Sequence, residues 1–502
     1  MRMGTPSFAR TGLSWGQPLV TAVLLAVFLV LASSQSANAL PAFARKYGLR
    51  CSACHESWPM LNYFGQKFKD NGYQLMNDRD APIWQNPGYW PVTFRITPIW
   101  HRVSTGKVQV DTYPGGGSAT PNGSAIQRIT SSGFDLSGLD FHTGGTLEKN
   151  ISFYVLPSSD STAAFHFETV MARLDNVFGS PWLNLKLGRF ELDNLLSEKR
   201  ILTLTANGGI YQLYHFRPQG DGNIFGQIGD NQLGVELLGH SYNDRTRYSA
   251  SLLSSNDGNV NLTLGSNSYT GFFTASQAFD VGKLGVDRIG GYAMVGEAAT
   301  YYRTSGSVPI AGSGINNKSF HREGFVGQFY FGEHFDVQVV TQHGWDNAYF
   351  GQGYGDAVAT DGNGGITCAG AALTPGCPPN NFPGTPLPFG SQAPTWNGAL
   401  AEPHYVYSPQ LIFIGRYETM RMSRQANGAN YAGPAGPSAS DFGNLSTYTI
   451  GFRYNPFMTS RAGFAWHNEY NWLHSVGTGP LAGLNTTNVN TSEFLTGIDF
   501  DF

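Results

Sequence analysis

From about Pro91 to the C-terminus the chain is a succession of short stretches in which apolar and polar residues alternate. Clear cases are 92–103, 165–174, 182–192, 231–242, 324–342 and 446–472. Alternation at period two is the pattern of strands that bury one face only. Turn residues sit between paired runs at Asn243-Asp244, Gly332-Glu333 and Asn455-Pro456, which predicts hairpins there. The last nine residues make the pattern explicit. Phe494, Ile498, Phe500 and Phe502 share one face of a strand; Leu495, Gly497, Asp499 and Asp501 share the other. Polar Gly/Asn/Ser-rich loops, about 105–131, 216–229, 303–318, 352–400 and 422–444, fall between successive hairpins. Roughly sixteen candidate strands result, an even number within the range of bacterial outer-membrane barrels. The expected fold is an all-β transmembrane barrel of about 16 antiparallel strands spanning 91–502. Trp100, Trp182, Tyr242, Trp466 and Trp472 near strand ends suit interfacial aromatic girdles.

Composition sharpens this reading. Charged residues are 13%, against about 25% in ordinary soluble domains. Aromatics reach 14%, Gly is 63 of 502, and mean hydropathy is −0.22. The chain is too polar for a helical membrane bundle and too poor in charge for an ordinary soluble enzyme. A formal net charge of −4 with no basic patch argues against nucleic-acid binding. No repeat of about 40 residues supports a propeller.

The N-terminus reads as a secretory signal over 1–39. Arg2 and Arg10 precede the apolar stretch Leu19 to Ala32, and Ala37-Asn38-Ala39 is a small-x-small cleavage site. The apolar stretch is shorter than the ~20 residues of a spanning helix. The expected destination is the bacterial outer membrane.

Between the signal and the barrel lies one compact chemical motif, Cys51-Ser52-Ala53-Cys54-His55. Cysteines at i and i+3 place two thiols on one helical turn, and a histidine directly after them can reach an iron held alongside. C-x-x-C-H is the attachment signature of a c-type haem. A thioredoxin-type pair would want a βαβ context, and a zinc site would want further ligands such as a second C-x-x-C; neither is present. Residues 40–90 are therefore expected to form a small α-helical segment carrying one haem c. Cys51 and Cys54 would be its thioether residues and His55 the proximal ligand. Trp58, Met60, Leu61, Phe64 and Phe68 recur at helical spacing and suit the pocket, with Asn71-Gly72 as a stop. Met76 is the leading sixth ligand, His101 its rival, and an open sixth position the third alternative. Met ligation would raise the potential. The remaining cysteines, Cys368 and Cys377, lie in a Gly/Pro/Asn-rich loop, and an exported chain predicts a disulfide between them.

The stretch PAFARKYGLRCSACHESWPMLNYFGQKFKDNGY (41–73) resembles the cytochrome segment of fused cytochrome–porin proteins, a single-haem outer-membrane type known from iron-oxidising bacteria. The resemblance rests on the export signal, on Cys51, Cys54 and His55, and on the barrel architecture of the remaining chain. It implies electron transfer across the outer membrane from an extracellular donor, Fe(II) foremost, to a periplasmic c-type cytochrome. It also implies Fe(II) oxidase activity in that sense. An empty barrel of this size would leave an aqueous channel, so residues 40–90 are expected inside it or at its mouth as a plug, and outer-membrane lipid is an expected partner. Two other functions stay open: a solute porin in which the haem segment is a gate or sensor, and a haem enzyme with an open sixth position. Asp135, Asp140, Glu236, Asp499 and Asp501 are strand carboxylates that could contact iron, too many to choose from, and each reads better as a solvated lumen residue.

Overall fold

A computed structural model describes residues 42–57, 60–75, 80, 82, 91–111, 124–159, 164–193, 195, 202, 231–254, 269–300, 302–303, 315–346, 359–360, 366–367, 395–422, 432–433, 436–437, 444–458, 462–476 and 488–502. Sixteen strands close into one antiparallel barrel. In chain order they are β1 (Val92–Asp111), β2 (Ser124–Glu148), β3 (Ile151–Ser159), β4 (His166–Leu174), β5 (Asn184–Glu191), β6 (Asn231–His240), β7 (Thr246–Ser254), β8 (Tyr269–Asp280), β9 (Val286–Thr300), β10 (Ile315–Tyr330), β11 (Phe335–Asp346), β12 (Thr395–Ser408), β13 (Leu411–Met422), β14 (Asn444–Met458), β15 (Gly463–Val476) and β16 (Asn488–Asp501). Each strand pairs with its neighbours in sequence, and β16 closes on β1. The closure is finished at the strand ends, where Phe94 and Phe502 exchange backbone hydrogen bonds of 2.8 and 2.9 Å. Full closure leaves no strand edge unpaired, which a strand needs where no water can satisfy its backbone.

The faces are inverted relative to a water-soluble barrel. Along β16 Thr491, Glu493, Leu495, Asp499 and Asp501 are buried inward, while Phe494 and Phe502 point out. Elsewhere Glu236, Arg322, Glu402 and Glu418 are fully buried in the lumen while Leu252, Ile450 and Phe273 stand half or more exposed on the outside. An apolar exterior around a charged interior is stable only in a lipid environment. The protein is therefore an outer-membrane β-barrel, as the alternation predicts.

Aromatic side chains mark the two interfaces. Phe178, Tyr242 and Tyr407 are strongly exposed beside the short connections. Tyr417, Tyr448 and Trp472 face one another across β13, β14 and β15, with ring centroids 5.0 and 5.6 Å apart. Trp472 lies nine residues along β15. At ~3.3 Å per residue and a tilt of ~40°, that is a rise of about 23 Å, close to the ~25 Å apolar band.

All the short connections, 149–150, 175–183, 241–245, 281–285, 331–334, 409–410 and 459–462, lie at one end of the barrel, together with the start of β1 and the end of β16. Two of the three predicted hairpin turns fall there. The third does not: Asn455-Pro456 lies inside β14, at a register shift between Tyr454 and Phe457. Proline has no N–H to give a ladder, and a bulge is where a strand tolerates it. The predicted loop at 105–131 is largely strand as well, since β1 runs to Asp111 and β2 begins at Ser124. Residues 127–132 of β2 are exposed, so this part of the strand has no buried face to write an alternating pattern. Likewise β10 begins at Ile315 and β12 at Thr395, inside predicted loops.

Candidate functional site

The CxxCH motif lies in a segment of three short helices: α1 (Ala42–Tyr47), α2 (Cys51–Cys54) and α3 (Tyr63–Asp70). Most of its contacts fall on the barrel wall near the short-turn end, and Lys69 reaches higher, to the far end of β5. Arg45 donates to the Val92 carbonyl and Lys46 to Thr146 Oγ1. Tyr63 donates to the Asn243 carbonyl, and Asp70 pairs with Arg247 at 2.7 Å. Tyr330 donates to Glu56 Oε1 at 2.8 Å, and Gln338 Nε2 to the Met60 sulfur at 3.0 Å. Lys69 reaches Glu191 and Asp193. These partners sit on β1, β2, β5, β7, β10 and β11 and on the β6–β7 turn, so the segment touches widely separated parts of the ring.

Aromatic packing fixes the segment's own core. Phe43 stacks on Tyr73 at 4.8 Å and meets Phe68 edge-on at 5.4 Å, and Tyr73 stacks on Tyr154 of the wall at 5.9 Å. Burial raises the Tyr73 phenol well above its ordinary value and lowers the Lys46 amine, which Asp80 partly supports.

Helix α3 is shorter than the predicted pattern from Trp58 to Phe68. Asn62 caps it, its side chain accepting from the Gly65 N–H at 2.9 Å. Met60 and Leu61 instead pair as a small ribbon with His55–Ser57. The predicted stop is in place: Asn71 is the C-cap and Gly72 takes a left-handed φ of 71°. Met60 is buried against Leu202, Ile412 and Ile414.

Cys51 and Cys54 occupy the single turn of α2, and neither forms a disulfide. His55 follows in extended conformation, its N–H donating to the Cys51 carbonyl. Burial pushes the Cys54 thiol up to about 11. Glu56, next in sequence, is pushed up to about 7 by burial and by Asp336, against the opposing hydrogen bond from Tyr330. Cys51 faces β15: a Cβ at Gly463 would lie 3.8 Å from its sulfur.

Beyond the segment the inner face of the wall carries buried ion pairs between nearby strands that the sequence did not reveal. His404 lies between Asp336 and Glu402, each at 2.9 Å. Asp499 takes Thr97 at 2.9 Å and Arg95, Arg453 and His467 at 3.3 Å. Asp140, Glu236, Asp499 and Asp501 are thus buried lumen residues rather than solvated ones; Asp135 alone of that set is exposed. His101 stands on β1 beside Glu493 at 3.4 Å, nine residues above Val92, or about 23 Å up the wall. Met76, Trp58, Cys368, Cys377 and the signal region 1–39 lie outside the described residues. Among the described residues no cluster of three or more His, Cys, Asp or Glu side chains is arranged to hold a metal ion.

No protein-family profile matches the chain, and no curated relative matches it. Solved structures similar to it include OmpT of Vibrio cholerae in its trimer form (7% identity, covering 82% of this chain and 98% of that one, TM-score 0.45). OprB of Pseudomonas putida is similar at 10% identity, 82% and 94% coverage and a TM-score of 0.45. The outer-membrane channel DcaP of Acinetobacter baumannii is similar at 11% identity, 82% and 97% coverage and a TM-score of 0.43.

Proposed function

We propose that the protein passes electrons across the outer membrane through one c-type haem carried by residues 40–90, a plug in the short-turn mouth of the barrel. The observation that carries the proposal is the CxxCH turn itself. Two thiols stand on one helical turn with a histidine at its end, and hydrogen bonds to the wall lie before it at Arg45 and directly after it at Glu56. This donor set fits haem c: Cys51 and Cys54 would form the thioethers and His55 would hold the iron. Met76 is the proposed sixth ligand and His101 its rival. The haem, when bound, would supply one-electron chemistry at this half-buried turn. The chain's own residues would orient it: Tyr330 fixes Glu56 and Gln338 fixes Met60.

The donor would be extracellular, with Fe(II) the leading substrate, and the acceptor a periplasmic c-type cytochrome reaching the short-turn mouth. A Cys368–Cys377 disulfide in the long connection between β11 and β12 belongs to the same proposal. The test is absorbance of the detergent-purified protein, oxidised anaerobically, then given Fe(II) and finally dithionite. A c-type α-band reduced by Fe(II) supports the full reading. A band reduced by dithionite alone keeps the haem and removes iron as donor. No band, from a host that matures c-type cytochromes, overturns the haem.

A second reading has one observation in its favour. A pocket of about 40 Å³ lies beside α3, lined mostly by polar residues including Gln66, Asn184, His240 and Ser276. Room for about one water between segment and wall is where a path would open in a porin with a haem gate or sensor. Single-channel conductance in planar bilayers decides between the two.

A further inference from the structure

We infer that Asn62 and Arg173 are positioning residues for the CxxCH turn, the two ends of a strut that runs from barrel strand β4 through α3 to the cysteines. The inference rests on the proposed haem. It begins at the wall. The Arg173 guanidinium is buried and aims at the C-terminus of α3, donating to the carbonyls of Lys69, at 3.0 Å, and Asp70. Those carbonyls are among the last of the helix, where Lys69 also accepts from the Gly72 N–H at 3.0 Å, and a cation there suits the negative end of the helix dipole. Arg173 is itself held: its Nε lies 2.6 Å from Asp175, whose other oxygen accepts from Ser152 at 2.7 Å. The approach is close, because a Cβ at Gly72 would collide with the Asp175 carboxylate.

The other end of α3 is joined to the cysteine turn as tightly. Asn62 caps α3 through its side-chain oxygen, and its Nδ2 donates to the carbonyls of Ser52 at 3.3 Å and Ala53 at 3.1 Å. Its backbone N–H donates to the Cys54 carbonyl at 2.9 Å. Gly65 then lies against that same carbonyl, where any Cβ would overlap it. An eight-residue helix pinned at both ends transmits the wall's position to the two thiols and to His55. On the opposite flank Tyr330 and Gln338 hold Glu56 and Met60, six and seven strands round the sixteen-strand ring from β4.

The test uses the full haem-loaded protein in detergent, with Asn62→Ser, Arg173→Ala and Arg173→Lys. Serine keeps an N-cap but cannot also reach the Ser52 and Ala53 carbonyls. Expected are a wild type with one midpoint potential and one haem EPR signal, a split or shifted signal in Asn62→Ser and Arg173→Ala, and partial recovery in Arg173→Lys. A second readout does not use the haem. Protease cleavage within 42–75 should be roughly ten- to a hundredfold faster in Arg173→Ala, the loss of charge-assisted hydrogen bonds at one helix end. Folded barrel is confirmed by its mobility before heating. Folded variants with the wild-type potential, EPR line and cleavage rate overturn the inference. Should Arg173→Ala fail to fold, Asn62→Ser decides alone, since the hydrogen bonds it alters lie within the segment. A wild type without haem would defeat the proposed function, while the cleavage rates would still judge the strut.

Discussion

Replacing Leu252 by lysine separates a lipid-facing wall from a water-facing one. Leu252 points outward from β7, is 57% exposed, and pairs across the ladder with Val235, also outward. It stands six residues from the start of β7 at Thr246, and ~3.3 Å per residue at a tilt of ~40° places it about 15 Å up the wall. An apolar band of ~25 Å then puts it within a few ångströms of the bilayer midplane. A lysine at that depth costs about 2–4 kcal/mol. The same change on the surface of a water-soluble barrel stays within about 0.5 kcal/mol. The assay is reversible denaturant unfolding in lipid vesicles, followed by tryptophan fluorescence and by mobility before heating. The neighbouring inward residue is the control: Ser251→Ala removes a 3.1 Å hydrogen bond to Glu236 and should cost about 1 kcal/mol. A Leu252→Lys cost under about 1 kcal/mol would refute the assignment of faces.

Further outcomes rest on the same contacts. Asp499→Ala leaves Arg95, Arg453 and His467 around a missing carboxylate and should cost about 3–5 kcal/mol in the same unfolding assay. In protein produced without haem attachment, burial keeps the Cys54 thiol near 11, so its alkylation at pH 8 should run roughly two orders of magnitude slower than that of an ordinary cysteine with a value near 8.5. Raising the pH towards 11 should restore the rate, and fast alkylation at pH 8 would contradict the burial. Met76→His should lower the midpoint potential while His101→Ala leaves it unchanged; the reverse pattern in a redox titration would move the sixth ligand to His101.

How much of this was legible in the sequence depends on what each residue faces. The alternation at 491–502 is written by a wall with lipid on one side and a packed lumen on the other, and it survives any tertiary detail. Where β2 is exposed there is no such contrast, and the sequence reads as loop. Asn455-Pro456 imitates a turn because proline usually marks one, yet a bulge in β14 accommodates it. The CxxCH chemistry was visible because its residues are adjacent. Its supports were not. Tyr330 and Glu56 are 274 residues apart, Gln338 and Met60 278, and no local pattern announces such pairs. Asn62 could have been suspected as a cap from its place before a helical run, but its grip on the Ser52 and Ala53 carbonyls needed the fold. The lumen pairs were hidden for the same reason: Asp499 meets Arg95 404 residues away.

The most direct test of the electron path uses vesicles bearing the protein, a soluble c-type cytochrome sealed inside, and a reductant outside that cannot cross lipid. Reduction of the enclosed cytochrome by wild-type vesicles, and its loss in Cys51→Ala/Cys54→Ala vesicles with the same amount of folded barrel, is the predicted result. Equal rates in the two preparations would contradict it, because the electrons would then be crossing without the CxxCH turn.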